Sequence, residues 1–264
     1  MSEMREAPIW EAKVDQLAVR AFETRAAMGW AAALVAAESL RDALARTGKA
    51  RAVFASAPSQ NEFLDALVEA PGIAWDRVTA FHLDEYIGLP GDHPQSFCTY
   101  IRHRLFAKVK VGEVHYMNGM ASDPQAECRR YAMLLAAGAD LACIGIGENG
   151  HLAFNDPPVA DFNDPVLVKT VELEVPCREQ QVHDGCFPRL ADVPTTALTM
   201  TLPAIFAARQ IVCVVPGPTK TAAVTATLTG PIATSCPASG LRRHPAATLF
   251  LDKASAAGVV GRQG

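Results

Sequence analysis

The run Ile144-Gly145-Ile146-Gly147-Glu148-Asn149-Gly150-His151-Leu152-Ala153-Phe154-Asn155-Asp156-Pro157-Pro158 decides how this chain is read. Leu141 to Ile146 has the composition of a buried strand, and it stops at a glycine-rich turn that carries a histidine among polar neighbours. Glycines at 145, 147 and 150 permit backbone conformations closed to other residues and let a small ligand approach the main chain. Asn149 and Asp156 flank an imidazole that titrates near neutral pH, so a proton can be moved at this corner. Taken alone, the segment serves equally as a turn that merely ends a strand.

A second strand end changes that balance. Val78-Thr79-Ala80-Phe81-His82-Leu83 reads as a buried strand, with His82 a core histidine, and it breaks at Asp84-Glu85-Tyr86. In open parallel sheets ligands bind beyond the carboxyl ends of the strands, so Asp84 and His151 are expected to face one pocket.

Around these two ends, β-type runs alternate with helical stretches along nearly the whole chain. After an extended start over Val14 to Phe22, the alanine-rich stretch Thr24 to Arg46 reads as a long helix stopped at Thr47-Gly48. Strands are expected at Arg51–Ala55, Glu113–Tyr116, Gln210–Val215 and Ala247–Leu251. Helices are expected at Gln60–Glu69, Ser96–Lys108, Asp123–Ala137, Pro203–Ala208 and Lys220–Leu228. Residues 157–188 are proline-punctuated and read as an irregular lid or loop. The pattern predicts one α/β domain over residues 1–264: a doubly wound, mostly parallel sheet with helices on both faces, a Rossmann-like three-layer arrangement.

The motifs Phe81-His82-Leu83-Asp84-Glu85-Tyr86-Ile87-Gly88-Leu89 and Gly147-Glu148-Asn149-Gly150-His151-Leu152-Ala153-Phe154-Asn155 together resemble those of glucosamine-6-phosphate deaminases. His93-Pro94-Gln95-Ser96-Phe97, Val193-Pro194 with Ala197-Leu198-Thr199, Gly217 with Lys220, and His244-Pro245 follow in the same order as in that family, covering about Arg51 to Asp252. The resemblance implies an aldose–ketose isomerisation with loss of the C2 amino group, turning glucosamine 6-phosphate into fructose 6-phosphate and ammonia. In that reaction Asp84 would remove the C2 proton and His151, supported by Asn149 and Asp156, would open the sugar ring. Glu85, Gly147 and Gly150 would contribute to substrate binding. No metal or organic cofactor is implied, and homo-oligomers are common among the relatives.

The phosphate site departs from the family. Where the deaminases carry a Ser-Gly-Gly-Thr turn, this chain has Ser56-Ala57-Pro58-Ser59. Ser56 and Ser59 keep both hydroxyls, and Ser59 with Glu62 is expected to form a capping box at a helix N-terminus that suits an anion. Pro58 removes one N–H donor. Lys220, at the start of a helix, matches a phosphate-binding lysine of the family; for the family's phosphate-binding arginine, Arg178 and Arg189 are the candidates. Asn149 and Asp156 also stand where some relatives have Asp and Glu. These changes leave two alternatives open: an isomerase of another sugar phosphate, and a sugar-phosphate-binding paralogue without turnover. A 6-phosphogluconolactonase-type hydrolase is a third, disfavoured by His151-Leu152-Ala153-Phe154-Asn155 and by the intact Asp84-Glu85-Tyr86.

Composition bounds the remaining classes. The 264 residues carry a formal net charge of −4, which disfavours general binding to nucleic acid or to an anionic membrane. No apolar run is long enough to span a bilayer, and the residues from Met1 to Glu6 lack the apolar core of an export signal, so a cytoplasmic location is expected. Seven cysteines, without paired CxxC spacing, suggest free thiols and neither disulfides nor a zinc knuckle.

Overall fold

The computed structural model describes residues 6–260; most of the N-terminal stretch read for an export signal lies outside them. Its main sheet has eight strands in the order β1-β2-β11-β10-β7-β3-β4-β6. These are β1 (Trp10–Val14), β2 (Leu17–Phe22), β3 (Ala50–Phe54), β4 (Val78–His82), β6 (Glu113–His115), β7 (Leu141–Ile144), β10 (Gln210–Val215) and β11 (Ala247–Asp252). All neighbours pair in parallel except β1 and β2. The extended start expected over Val14 to Phe22 is one arm of that antiparallel hairpin, which turns at Asp15, a residue with positive φ.

β10 shows why its apolar run is continuous. Val212 and Val214 pack into the core on one face, while Ile211, Cys213 and Val215 pack into the core on the other, as a strand covered on both sides requires. One face is covered by α1 (Arg25–Thr47), α2 (Asn61–Val68) and α3 (Phe97–Ile101), the last continuing into a π-helical turn at Arg102–Phe106. The other is covered by α4 (Pro124–Leu135), α6 (Leu202–Phe206), α7 (Thr221–Thr229) and α8 (Lys253–Ala256). The doubly wound, mostly parallel three-layer expectation is therefore met. In α1 the ends are the ones the sequence marks: Thr24 accepts from the Ala27 N–H, and Gly48 closes the helix at φ 75°.

Three local expectations differ, and a fourth is met with one polar atom left over. Asp84-Glu85-Tyr86 is not a turn but a short strand, β5 (Asp84–Tyr86), in a second sheet of order β5-β9-β8. Its partner β9 (Thr196–Met200) runs antiparallel to both β5 and β8 (Val168–Glu172), placing Asp84 opposite Thr199. The stretch 157–188 is accordingly more ordered than expected, holding β8 and α5 (Val175–His183), with Pro176 in the first turn where a missing N–H costs nothing. The Ser59–Glu62 capping box does not form. Pro58 opens a short 3-10 turn, α2 starts at Asn61, and Glu62 pairs with Arg25 of α1 at 2.9 Å. His82 is fully buried as expected, but only its Nε2 has a partner, the Met117 N–H at 2.9 Å; burial lowers its pKa to about 4.

Candidate active site

The chain runs outward from β3 to β4 and β6, then returns to β7 and continues through β10 and β11 on the other side, so the strand order reverses between β3 and β7. At such a switch point the loops leaving adjacent strands diverge and open a crevice at their carboxyl ends. A cleft of about 550 Å³, the solvent at its open mouth included, lies there. Ser56 and Ser59 enter it from the loop after β3, Asp84 from the end of β4, Gly147 and His151 from the loop after β7, and Lys220 from the turn after β10. Residues far apart in the chain converge because four parallel strands end on one rim.

Asp84 is held by the small sheet. The Met200 N–H donates to the Leu83 carbonyl at 2.8 Å, fixing the corner where β4 becomes β5. Its side chain is buried, and burial first, then the neighbouring Glu85 charge, pushes its pKa well above the ordinary value. The second carboxylate of the pair faces elsewhere. Glu85 accepts from the Phe97 and Cys98 N–H groups at 3.1 and 2.8 Å, satisfying the first turn of α3, and it does not line the cavity.

His151 sits in a polar bracket. Its Nδ1 lies 2.8 Å from Asn149 Oδ1 and 3.1 Å from Asp156 Oδ1, while the Asn149 amide donates to that same Asp156 oxygen at 2.7 Å. With Nδ1 engaged, Nε2 is the nitrogen left for a ligand. Burial alone would raise the Asp156 carboxyl; contact with His151 and Asn149 outweighs it and holds the group below its usual value. The imidazole lies over Gly147, where a Cβ would overlap the ring, and Gly150 supplies the positive φ of 86° that the turn needs. Asn155, fully buried, pins the loop by donating to the Leu152 and Met200 carbonyls at 2.9 and 2.8 Å. The Phe154 N–H donates to Thr199 Oγ1 at 3.1 Å, so β9 braces both the Asp84 corner and the His151 loop.

At the cavity's other end, Ser56 Oγ is buried with no partner among the described residues, and Ser59 Oγ accepts from Gln60 Nε2 at 3.2 Å. Lys220 is buried, and burial lowers its pKa against the opposing pull of Asp184 and Glu148. Neither arginine candidate reaches the cavity: Arg178 donates to the Leu190 and Val193 carbonyls, and exposed Arg189 pairs with Asp192. The sequence reading missed Gln180 and Gln181, which α5 brings into the lining. Cys177, Gln180 and Gln181 form its buried face at helical i, i+3, i+4 spacing, a signal disguised by their polarity. Phe97 and Phe154 form an aromatic wall with ring centroids 5.6 Å apart.

Comparison with known proteins agrees with this geometry. Residues 23–250 match the family model described as glucosamine-6-phosphate isomerases/6-phosphogluconolactonase. A glucosamine-6-phosphate deaminase from Exiguobacterium sp. is 43% identical over 68% of this chain and 69% of its own length. One from Bacillus thuringiensis is 40% identical over 67% of this chain and 66% of its own, so the chain spans about two thirds of such relatives. A solved monomeric glucosamine-6-phosphate deaminase superposes with a TM-score of 0.84 at 29% identity, covering 91% of this chain and 99% of that one. A 6-phosphogluconolactonase from Shewanella baltica superposes at 0.74 with 18% identity, covering 91% of this chain and 100% of that one, which shows a shared fold alone. With these matches covering its switch-point site, the chain belongs to the glucosamine-6-phosphate isomerase/6-phosphogluconolactonase family.

Proposed function

We propose that this chain is a glucosamine-6-phosphate deaminase that converts its substrate to fructose 6-phosphate and ammonia in the cytosol. The observation that carries the reading is a buried carboxylate, Asp84, and a bracketed imidazole, His151, lining one cavity with a buried ammonium, Lys220. His151 would pass a proton through Nε2 between the ring and anomeric oxygens, because only the opened aldehyde acidifies the C2 proton. Asn149 and Asp156 would hold the ring in the orientation that presents Nε2. Asp84 would then take the C2 proton and return it toward C1. Its raised pKa makes it a stronger base than an ordinary carboxylate, and its buried position holds it in place. The resulting imine at C2 is hydrolysed, releasing ammonia.

The anion end supports a second reading, an isomerase or deaminase whose substrate bears another terminal group. Lys220 is the sole lysine or arginine among the described residues lining this cavity, joined at that end by the neutral Ser56, Ser59, Gln180 and Gln181. One experiment addresses both: ammonia and ketose formation across glucosamine 6-phosphate, its N-acetyl form, unphosphorylated glucosamine and glucose 6-phosphate, with 6-phosphogluconolactone hydrolysis alongside and Asp84→Asn as control. Ammonia from glucosamine 6-phosphate, lost in the variant, is the expected result. Turnover of only the unphosphorylated sugar or of the lactone would overturn the proposal.

A further inference from the structure

Behind His151 lies a thiol that the proposed chemistry does not use, packed against two groups that it does. His151 and Asp156 on the β7 loop and Cys177 on α5 bring a ring nitrogen, a carboxylate oxygen and a sulfur within 4.8 Å of one another, and all three side chains are buried. Asp156 is fully buried; its Oδ1 meets both His151 and Asn149, and its Oδ2 has no hydrogen-bonding neighbour among the described residues beyond the Cys177 thiol. A buried carboxylate oxygen whose only neighbouring donor is a thiol, a weak one, is poorly satisfied as a hydrogen-bond network. It is well composed as a ligand set: one nitrogen, one oxygen and one sulfur with a fourth position open is a mix that zinc accepts. Donors around a tetrahedral zinc stand roughly 3.3–3.8 Å apart, given bonds of about 2.0–2.3 Å, so only a small contraction is required.

We propose that His151 Nδ1, Asp156 and Cys177 bind a thiophilic divalent cation of the zinc class, which occupies the cavity's histidine when bound. Metal–sulfur and metal–nitrogen bonds form, the thiol proton leaves to water, and the proton on Nδ1 moves to Nε2, so the imidazole stays neutral and no electron is transferred. The entry path is the cavity that His151 itself lines. In the deaminase reading, an imidazole fixed with its proton on Nε2 can no longer accept one from the sugar, so the ion inhibits. Binding itself does not depend on that reading.

A second cluster, His82, Glu85 and Cys98, is equally compact, but there both carboxylate oxygens are committed to main chain. Both Glu85 oxygens accept backbone N–H groups, and His82 Nε2 accepts from Met117. Ligation there would strip the start of α3.

The test is titration of the reduced, metal-free full chain with Co2+, followed by the near-ultraviolet sulfur-to-cobalt charge-transfer band and displaced by Zn2+. One equivalent should bind and develop the band. Cys177→Ser should abolish it and Cys98→Ser should leave it intact. Asp156→Asn, which keeps the sulfur, should weaken binding by more than the roughly tenfold that loss of an outer hydrogen bond costs. Absence of the band from the wild-type protein, its survival in Cys177→Ser, or unchanged affinity in Asp156→Asn would each overturn the site. No turnover is measured, so failure here leaves the deaminase reading untouched, and failure of that reading leaves the titration valid.

Discussion

Asp84 shows what burying a single carboxyl asks of the fold. Its carboxyl is buried and its pKa raised, so between the ordinary value of 3.8 and the raised one the folded chain holds a proton that the unfolded chain has released. The folded state binds more protons in that window, and the contribution to stability is therefore present below it and lost as pH rises through it. Asp84→Asn removes the charge but keeps the shape. Its kcat/KM for deamination should fall about a thousandfold, within the range expected for loss of a general base, while stability at neutral pH rises by about 1 kcal/mol. Thermal melts of both proteins across pH would read this: the gap in Tm should widen from acid to neutral pH, and a gap that narrows would contradict the assigned burial cost. The same raised pKa places the acid limb of the wild-type kcat/KM profile above the ordinary carboxylate range, because the base must be ionised to act. A limb at or below that range would show that another group does the work. Asp156 does not set that limb, since contact with His151 and Asn149 holds its carboxyl low despite burial.

The elements legible in the sequence are those whose burial follows their own pattern. α1 announces itself by its alanines, its Thr24 cap and Gly48, and β10 by an unbroken apolar run. The elements that escape are decided by distant partners. β5 is three residues, two of them acidic, and becomes a strand because β9 lies across it; β8 mixes half-buried Lys169 and Thr170 and exposed Glu172 with buried Val168 and Val171, without a clean alternation. The candidate site divides the same way. Asp84, His151 and Lys220 follow closely on the apolar strands β4, β7 and β10 and could be read directly, whereas Gln180 and Gln181 enter only because α5 folds over the cavity. Gln180 also ties that helix down: its Oε1 accepts from the Glu148 N–H at 2.8 Å, in the loop that carries His151. Removing the tie in Gln180→Ala should loosen α5 over the substrate. KM should rise about tenfold, the value of about 1.4 kcal/mol expected for one lost buried hydrogen bond, with a smaller change in kcat. Protease sensitivity between Asp184 and Phe187 should rise with it, and an unchanged KM would remove α5 from the substrate's surroundings.

Across the molecule, the cavity's two ends rest on different supports. Asp84 and His151 are braced by the second sheet through β9, while the Ser56–Ser59 loop is positioned by α2, which packs on α1 at Gly29. A Cβ at Gly29 would lie 2.7 Å from the Glu62 carbonyl carbon and 2.8 Å from the Phe63 nitrogen, both backbone atoms that cannot step aside alone. Two effects of Gly29→Ala oppose each other. Alanine in a helix interior gains roughly 0.5–1 kcal/mol over glycine, while overpacking a closed interface costs about 1–3 kcal/mol. The clash is with main chain, so overpacking should win, and the variant should lose about 1–2 kcal/mol in a urea melt. Relief of the clash moves α2 away from α1 and carries Ser59 with it. KM should therefore rise through the anion end of the cavity while the acid limb of the pH profile, set by Asp84 on the other support, stays where it is. Destabilisation with both KM and the limb unchanged would show that α2 does not position the anion end, and a shifted limb would show that the two supports are mechanically one.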